Sequence, residues 1–263
     1  IDTACRLFET MFKGDADNAD WGYQILYFYH ELSCEDKTTT LHKTFAEEEI
    51  RALVHKDIKV LGGLLSDMKR FENEYGKYGY RIMSFEDTSY AIEVQPSFLY
   101  DKFKKMLTPE YAYYRGLWIK EHDIPAIWHA TLAIPLSEVF KRIEWRDEFL
   151  EKNPDFIRED LVTREIERLC FIVTKGLENT SVYDDKDVIK PEYKDALQAY
   201  YRSHKQTKWG KYMTDYVHLL ALNKYRNSYK IDSWVLEHLF PEGRKNIDPL
   251  LKYKDILIDN IVE

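Results

Sequence analysis

The chain has 263 residues, of which 44% are hydrophobic and 32% charged, a balance typical of a folded globular protein. Its 38 basic and 46 acidic residues give a formal net charge of -8 without a basic stripe, which argues against a nucleic-acid partner. No segment approaches the roughly 18 consecutive apolar residues that a membrane-spanning helix needs, so we expect no transmembrane segment.

The N-terminal part of the chain predicts two helices. Residues 3–12 have the pattern of a short helix that breaks at the polar run 14–18, and a second helix follows from Asp20. The apolar residues that recur there at helical spacing are Ile25, Leu26, Tyr29 and Leu32. We interpret the polar run 35–40 as a loop that ends this second helix.

A third helix is predicted after that loop. Thr44 and Glu47 form a capping box, in which each residue satisfies a free backbone N–H group of the other. The helix that follows has the clearest amphipathic pattern in the chain. Its apolar face consists of Ile50, Leu53, Val54, Ile58, Leu61, Leu65 and Met68.

A change of hydrophobic period in the middle of the chain predicts a β-hairpin. Residues 80–85 and 90–94 have the pattern of two short strands, joined by a turn at 86–89. Pro96 ends the second strand, and we expect Ser97 to cap the next helix.

An aromatic helix is predicted next, over residues 111–122. Thr108 and Pro109 mark its start, because Thr is a good N-cap and the missing N–H of Pro costs nothing in the first turn. Pro125 and Pro135 bracket a further short segment.

The last part of the chain predicts an internal repeat. Residues 137–221 resolve into four helices in two pairs, and the second pair matches the first at an offset of about 51 positions. The matching positions are Phe149 with Tyr200, Leu150 with Tyr201, Leu161 with Tyr212, Val162 with Met213, Thr163 with Thr214, Ile166 with Val217, Leu169 with Leu220 and Cys170 with Ala221. The alternative is that any two amphipathic hairpins can be aligned in this way.

These patterns together predict a mostly α fold of stacked helical hairpins, of the α-solenoid or tetratricopeptide-like kind. One small β-hairpin is expected around residues 80–94. A single helical hairpin cannot bury both faces, so neighbouring hairpins must stack. We expect N-terminal helices over 1–75, a hairpin and aromatic helix over 76–136, and a helical-repeat region over 137–263, in one continuous domain.

The segment Phe-Leu-Glu-Lys-Asn-Pro-Asp-Phe at residues 149–156 resembles the turn between the helices of tetratricopeptide-like repeats. Residues 79–111, with Trp145 and residues 176–180, are similar to a group of uncharacterised bacterial exported proteins and lipoproteins. The resemblance implies an extracytoplasmic protein of the cell envelope, with a cytoplasmic location as the alternative, and it implies no activity. A strict 34-residue period and most of the small-residue positions of the tetratricopeptide motif are absent from this sequence.

The sequence lacks the common catalytic and cofactor motifs. It has no nucleophile elbow, phosphate-binding glycine loop, dinucleotide fingerprint or His-Glu-x-x-His pair. We therefore expect a non-catalytic protein without a cofactor. The alternative is a hydrolase-like enzyme that uses the carboxylates of Glu121 and Asp123 with His122, which would need two acids of separated pKa.

Several weaker patterns offer metal ligands. His122, Asp123 and His129 supply zinc-type ligands at a spacing that fits no motif, so we interpret them as surface-loop residues. The acidic runs 15–20 and 184–187 begin like calcium loops but lack their glycine and distant glutamate, so we expect helix-capping loops. The remaining histidines considered, each expected to be a helix-face residue rather than a ligand, are His204, His218 and His238. We therefore expect no metal.

Three cysteines leave the redox state open. Cys5 and Cys34 lie on the first two predicted helices and could pair in an exported protein, whereas the alternative is that they and Cys170 are buried free thiols.

An aromatic cluster supplies the candidate binding residues. Its members are Tyr113, Tyr114, Trp118 and Trp128, with Tyr111 beside them. Aromatic side chains bury a large area at low entropic cost, which favours a protein or peptide partner. The alternative is a core seam, because Tyr111, Tyr114 and Trp118 share one helical face; Tyr113 is the better surface candidate.

The sequence thus predicts a non-catalytic protein- or peptide-binding scaffold of the bacterial envelope, while an acidic immunity-type protein has no specific residue in its favour.

Overall fold

The computed structural model describes residues 1–44, 50, 73–85 and 89–240. The fold is mostly α-helical, with stacked helix pairs and small two-stranded antiparallel sheets, which confirms the expected fold class. Within the described residues, no helix is both long and apolar enough to cross a membrane. The chain divides into two compact units, Ile1–Ile124 and Pro125–Glu263.

The described residues of the first unit form two N-terminal helices, a β-hairpin and two further helices. Their bounds are α1 Asp2–Met11, α2 Ala16–Thr44, β1 Tyr80–Phe85, β2 Ser89–Val94, α3 Pro96–Phe103 and α4 Pro109–Asp123. The hairpin pairs Tyr80 with Val94 and Ile82 with Ile92, as the alternating sequence predicts.

Helix α2 is longer than predicted, and the expected loop at 35–40 is wrong. Tertiary contacts hold this polar stretch in the helix, since the Thr38 hydroxyl accepts a hydrogen bond from the Ile92 amide (2.8 Å) and Leu41 is fully buried. The Thr40 hydroxyl also donates back to the Asp36 carbonyl (2.8 Å) within the helix. Packing against the hairpin therefore overrides a local composition typical of a loop.

The predicted capping box at Thr44 and Glu47, and the amphipathic helix after it, lie almost wholly outside the described residues. Of that apolar face the structure describes Ile50, which is fully buried in a cluster with Leu41, Tyr80 and Ile92.

The first residues of α3 and α4 test two predicted N-caps. Gln95 is the N-cap of α3, so Ser97 lies inside the helix and its predicted capping role is wrong, because Pro96 already takes the first helical position. Thr108 caps α4 as predicted, accepting a hydrogen bond from the Tyr111 amide (3.3 Å). The buried carboxylate of Asp20 accepts from both the amide (3.0 Å) and the hydroxyl (2.6 Å) of Thr108, and so ties α2 to the start of α4.

Up to residue 240, the second unit contains the two predicted helix pairs and one more helix. The bounds are β3 Ile127–Trp128, β4 Thr131–Leu132, α5 Leu136–Lys152, α6 Glu159–Lys175, β5 Gly176–Leu177, β6 Thr180–Ser181, α7 Pro191–Ser203, α8 Lys208–Leu222 and α9 Tyr229–Leu239. Helix α5 packs on α6, α7 on α8 and α7 on α5, so the two hairpins stack side by side. The sequence predicted one β-hairpin, whereas the described residues contain three.

The two hairpins of this unit match at the predicted offset. The last residue of α5, Lys152, corresponds to the last residue of α7, Ser203. The residue after each helix donates a side-chain hydrogen bond to the carbonyl four positions back: Asn153 to Phe149 (2.8 Å) and His204 to Tyr200 (3.0 Å). The buried pairs at this offset are Phe149 with Tyr200, Val162 with Met213, Ile166 with Val217 and Leu169 with Leu220.

Candidate partner-binding surface

The four aromatic residues expected to bind a partner divide between the surface and the core. Tyr113 and Trp128 are 54% and 48% exposed, and they belong to different units. Tyr114 is 1% exposed and therefore offers no accessible surface, and Trp118 is half-buried. Tyr111 and Tyr114 are buried in the core, as the alternative interpretation of their helical spacing predicted.

Trp118 belongs to an aromatic box around a buried cation. The Arg115 guanidinium lies 4.2 Å from the centroid of the Trp118 ring and 4.5 Å from that of Tyr27. Within the described residues, the Arg115 Nε and one terminal nitrogen have no hydrogen-bond partner. Cation–π attraction in a desolvated site therefore contributes to stabilising this charge, and Trp118 serves the core of the unit.

A surface that the aromatic cluster did not predict lies on α2. Trp21, Ile25, Phe28, Tyr29 and Leu32, here called the α2 ridge, are 52% to 69% exposed. Four of them follow the spacing i, i+4, i+7 and i+11, which places them in one stripe along the helix. Tyr23, Leu26 and His30 occupy the opposite, buried face, so α2 is apolar on both sides.

The α2 ridge is comparable in area to the largest apolar patch on a typical monomer. Each aromatic side chain presents roughly 150–250 Å² when fully exposed, so five half- to two-thirds-exposed large side chains offer on the order of 500 Å². Contiguous apolar patches of this size commonly mark sites of interaction. Leu7 and Met11 of the adjoining α1 are also 57% and 62% exposed.

Acidic residues lie at both ends of the ridge along α2. Asp17 lies at one end of the stripe, and Glu35 and Asp36 lie at the other, all exposed. The sequence from 17 to 36 contains no Lys or Arg. The ridge is therefore an apolar strip with acidic ends.

The residues of the alternative hydrolase site do not converge. Glu121, His122 and Asp123 are successive positions on α4, and successive helical side chains point about 100° apart. The His122 ring packs 5.2 Å from Trp118, and burial, with help from the Arg81 charge, lowers the pKa of His122. Asp123 is exposed, 3.8 Å from the Arg81 guanidinium. None of these three residues lines either of two surface pockets, which have volumes of about 430 and 540 Å³.

The acidic runs considered for calcium use their oxygens on the protein itself. Asp15 accepts hydrogen bonds from the amide (3.3 Å) and side chain (2.8 Å) of Asn18 at the start of α2. Asp184 accepts from the amides of Lys186 and Val188, each at 2.9 Å, and these bonds lower the pKa of its carboxyl. His129, considered for zinc, lies in the β3–β4 turn with a positive φ of 49°.

The three cysteines are free thiols. Cys5 and Cys170 are buried, and burial raises the pKa of Cys34 to about 11. A thiol with a raised pKa is a poor nucleophile at neutral pH, so these residues belong to the packing of their units.

Comparisons with protein-family models, with curated proteins and with solved structures give no match for this chain. We therefore infer the function from the geometry of the protein's surfaces. The spacing of Ile25, Tyr29 and Leu32 predicted a helix, but that prediction did not distinguish an exposed apolar face from a buried one. The helical spacing does distinguish the two faces, because Trp21, Ile25, Phe28 and Leu32 form an apolar stripe opposite Tyr23, Leu26 and His30.

Proposed function

We propose that this protein is a non-catalytic scaffold that binds a protein or peptide partner through the α2 ridge. The observation that carries the proposal is the run of five large apolar side chains, each more than half exposed, on one face of α2. Leaving this area in water is unfavourable by about 25 cal/mol for each Å², so covering it with a partner releases free energy.

The chemistry of the ridge indicates what kind of partner fits it. An apolar strip along a helix accepts the apolar face of a second helix. The acidic residues Asp17, Glu35 and Asp36 at its ends favour positive charge at the ends of that partner. We therefore propose an amphipathic helical peptide with basic termini as the ligand class.

We also propose a cellular location for this protein. The segment at residues 149–156, which spans the end of α5 and the turn that leads to α6, supports a tetratricopeptide-like protein of the bacterial envelope, exported or lipoprotein-anchored. Fractionation of bacteria that express the natural gene, with detection of this chain by antibody, tests this part. Recovery in the envelope or periplasmic fraction supports it, and recovery with cytoplasmic markers contradicts it.

Binding is tested with defined peptides rather than with an extract. Fluorescence anisotropy of a labelled basic amphipathic helix is measured with the wild-type chain and with the double variant Ile25→Glu, Leu32→Glu. We expect the double variant to bind at least about tenfold more weakly, because two charges replace apolar contacts worth roughly 1.5–3 kcal/mol each when buried.

The control is Leu222→Glu, which introduces one such charge at an 86% exposed leucine in the other unit. It should bind like the wild type. A peptide with the same composition but scrambled amphipathicity should not bind to any of the three proteins. Equal binding by the wild type and the double variant would remove the α2 ridge from the proposal.

A further inference from the structure

A group of potential metal ligands lies in the second unit, far along the chain from the α2 ridge. Glu144 and Glu148 are one turn apart on α5, and His204 follows the last residue of α7, which packs against α5. One ligand atom from each residue lies within 4.8 Å of the other two. In the part of the chain that the structure describes, no other trio of His, Cys, Asp or Glu meets this condition.

The protonation of the His204 ring follows from its hydrogen bonds. Its Nδ1 lies 3.0 Å from the backbone carbonyl of Tyr200, which can only accept, so Nδ1 carries a proton. The Ser203 hydroxyl is 3.1 Å from the same nitrogen and also contacts the Tyr200 carbonyl, to which it can donate. A neutral ring therefore has its lone pair on Nε2.

That lone pair faces a carboxylate. The His204 Nε2 lies 3.1 Å from an Oε1 of Glu144, which is also an acceptor. Two acceptors at this distance repel unless a proton or a metal ion lies between them. Two ligands of one tetrahedral Zn²⁺ stand about 3.3–3.5 Å apart, because each lies about 2.0–2.2 Å from the metal. The separation of His204 and Glu144 thus needs only a small adjustment to admit the ion, whereas Glu148, within 4.8 Å of both, completes the site by a rotation of its exposed side chain.

The surroundings hold the ring in a ligand-like orientation. The His204 ring stacks on the Tyr200 ring, with centroids 4.4 Å apart and planes 18° apart. The His204 side chain is 13% exposed. A metal-binding histidine usually donates its second ring N–H to a carbonyl or carboxylate, and the Tyr200 carbonyl takes that place here.

We propose that Glu144, Glu148 and His204 bind a divalent cation of the zinc class. Imidazole and carboxylate ligands suit Zn²⁺ and its first-row neighbours. Three protein ligands would leave a fourth position for water or for a ligand from another molecule. The Lys152 ammonium, 3.2 Å from Glu148 and largely exposed, is the competitor that the ion displaces.

The test is isothermal titration of the whole chain, stripped with chelator, with zinc chloride. We expect one ion to bind for each chain. The variants Glu144→Gln and His204→Asn should each lower the zinc affinity at least about 100-fold, because each removes a ligand. His204→Asn keeps the helix-end hydrogen bond, since Asn153 makes it at the corresponding position of α5. Circular dichroism should show both variants folded without metal.

The chain offers a close control in His238. Its Nδ1 also contacts the carbonyl four positions back, Trp234, at 2.8 Å, and its ring stacks on the Trp234 ring. It is not part of the metal-capable group, so His238→Asn should leave zinc binding unchanged.

The rival explanation is an ion pair in which a proton fills the gap between His204 and Glu144. Nuclear magnetic resonance of the histidine rings distinguishes the two explanations. Zinc should move the His204 ring signals and leave those of His238 in place. If saturating zinc moves neither, or if Glu144→Gln and His204→Asn bind zinc as the wild type does, the metal site is excluded.

Discussion

His30 illustrates how one buried side chain links the hairpin to the pH of the solution. It is fully buried on α2, with its ring 4.5 Å from that of Tyr80. Burial is the largest cause that lowers the pKa of His30 to about 4, against an ordinary value near 6.5 in an unfolded chain. The folded state therefore resists protonation of this ring.

The sign of the resulting pH effect follows from linkage. Above pH 6.5 the ring is neutral in both states and contributes nothing. As the pH falls below about 6.5, the unfolded state binds a proton that the folded state does not bind. The free energy of unfolding therefore decreases until the pH approaches 4. Between pH 7 and pH 5 we expect His30 to cost about 2 kcal/mol of unfolding free energy.

Urea denaturation of the wild type and of His30→Leu at both pH values measures this cost. The variant should lose about 2 kcal/mol less than the wild type over that interval. Burial raises the pKa of Asp20 and Glu93, which act in the opposite direction, but they are common to both proteins and cancel in the difference. An identical profile for His30→Leu would show that His30 titrates normally.

At the scale of the element, the start of α8 depends on the absence of a side chain. The Gly210 amide donates to the Thr207 hydroxyl that caps the helix (3.0 Å). A Cβ atom at Gly210 would lie 1.6 Å from the His204 carbonyl oxygen. The end of α7 and the start of α8 approach so closely here that only glycine fits.

We expect Gly210→Ala to lower the free energy of unfolding by about 2–3 kcal/mol, as overpacking a closed site does. Urea denaturation followed by circular dichroism provides the value. Gly76→Ala is the control, because no atom lies within 4 Å of the Cβ position there. It should be neutral or slightly stabilising. A stability of Gly210→Ala equal to that of the wild type would mean that the two helix ends can separate without cost.

Much of this element order was predictable from local patterns. The hairpin at 80–94, the capping Thr108 and the four helices after residue 136 follow from alternation, capping chemistry and 3.6-residue spacing. The helical stretch 35–40 was not predictable in this way, because its stability comes from Ile92 and Leu41, which meet only in the folded unit. Local composition reports what a segment prefers alone, and here the tertiary contacts reverse that preference.

The candidate sites show the same limit. Tyr114 and Tyr113 are adjacent in the sequence, and only packing decides that the first is buried and the second exposed. The trio Glu144, Glu148 and His204 combines an i, i+4 pair with a residue about 60 positions later. Its carboxylate pair is an ordinary helical spacing, so the sequence gives no reason to place a histidine beside it.

For the molecule as a whole, the net charge of -8 bears on how a partner arrives. The acidic ends of the α2 ridge add a local field of the same sign as the global one. A basic peptide is therefore attracted over a distance that salt shortens, from about 30 Å at 0.01 M to about 10 Å at 0.1 M.

We expect the association rate of the basic amphipathic peptide to fall at least about threefold between about 0.05 M and 0.5 M salt, with a smaller change in its dissociation rate. Stopped-flow anisotropy measures both rates. A peptide with the same apolar face and neutral ends should show little salt dependence of its association rate. Equal salt slopes for the two peptides would show that charge plays no part in recognition at the ridge.

The correspondence between Asn153 and His204 has a consequence for how such a chain can change. Both side chains close the end of a helix by the same bond to the carbonyl four positions back. After making that bond, an amide keeps one N–H group and a carbonyl oxygen, whereas a neutral imidazole keeps a second ring nitrogen that can bind a proton or a metal ion. Asn and His codons differ by a single base, so a hairpin protein of this kind can acquire or discard a chemical group at a helix end in one mutational step, without rebuilding the helix that carries it.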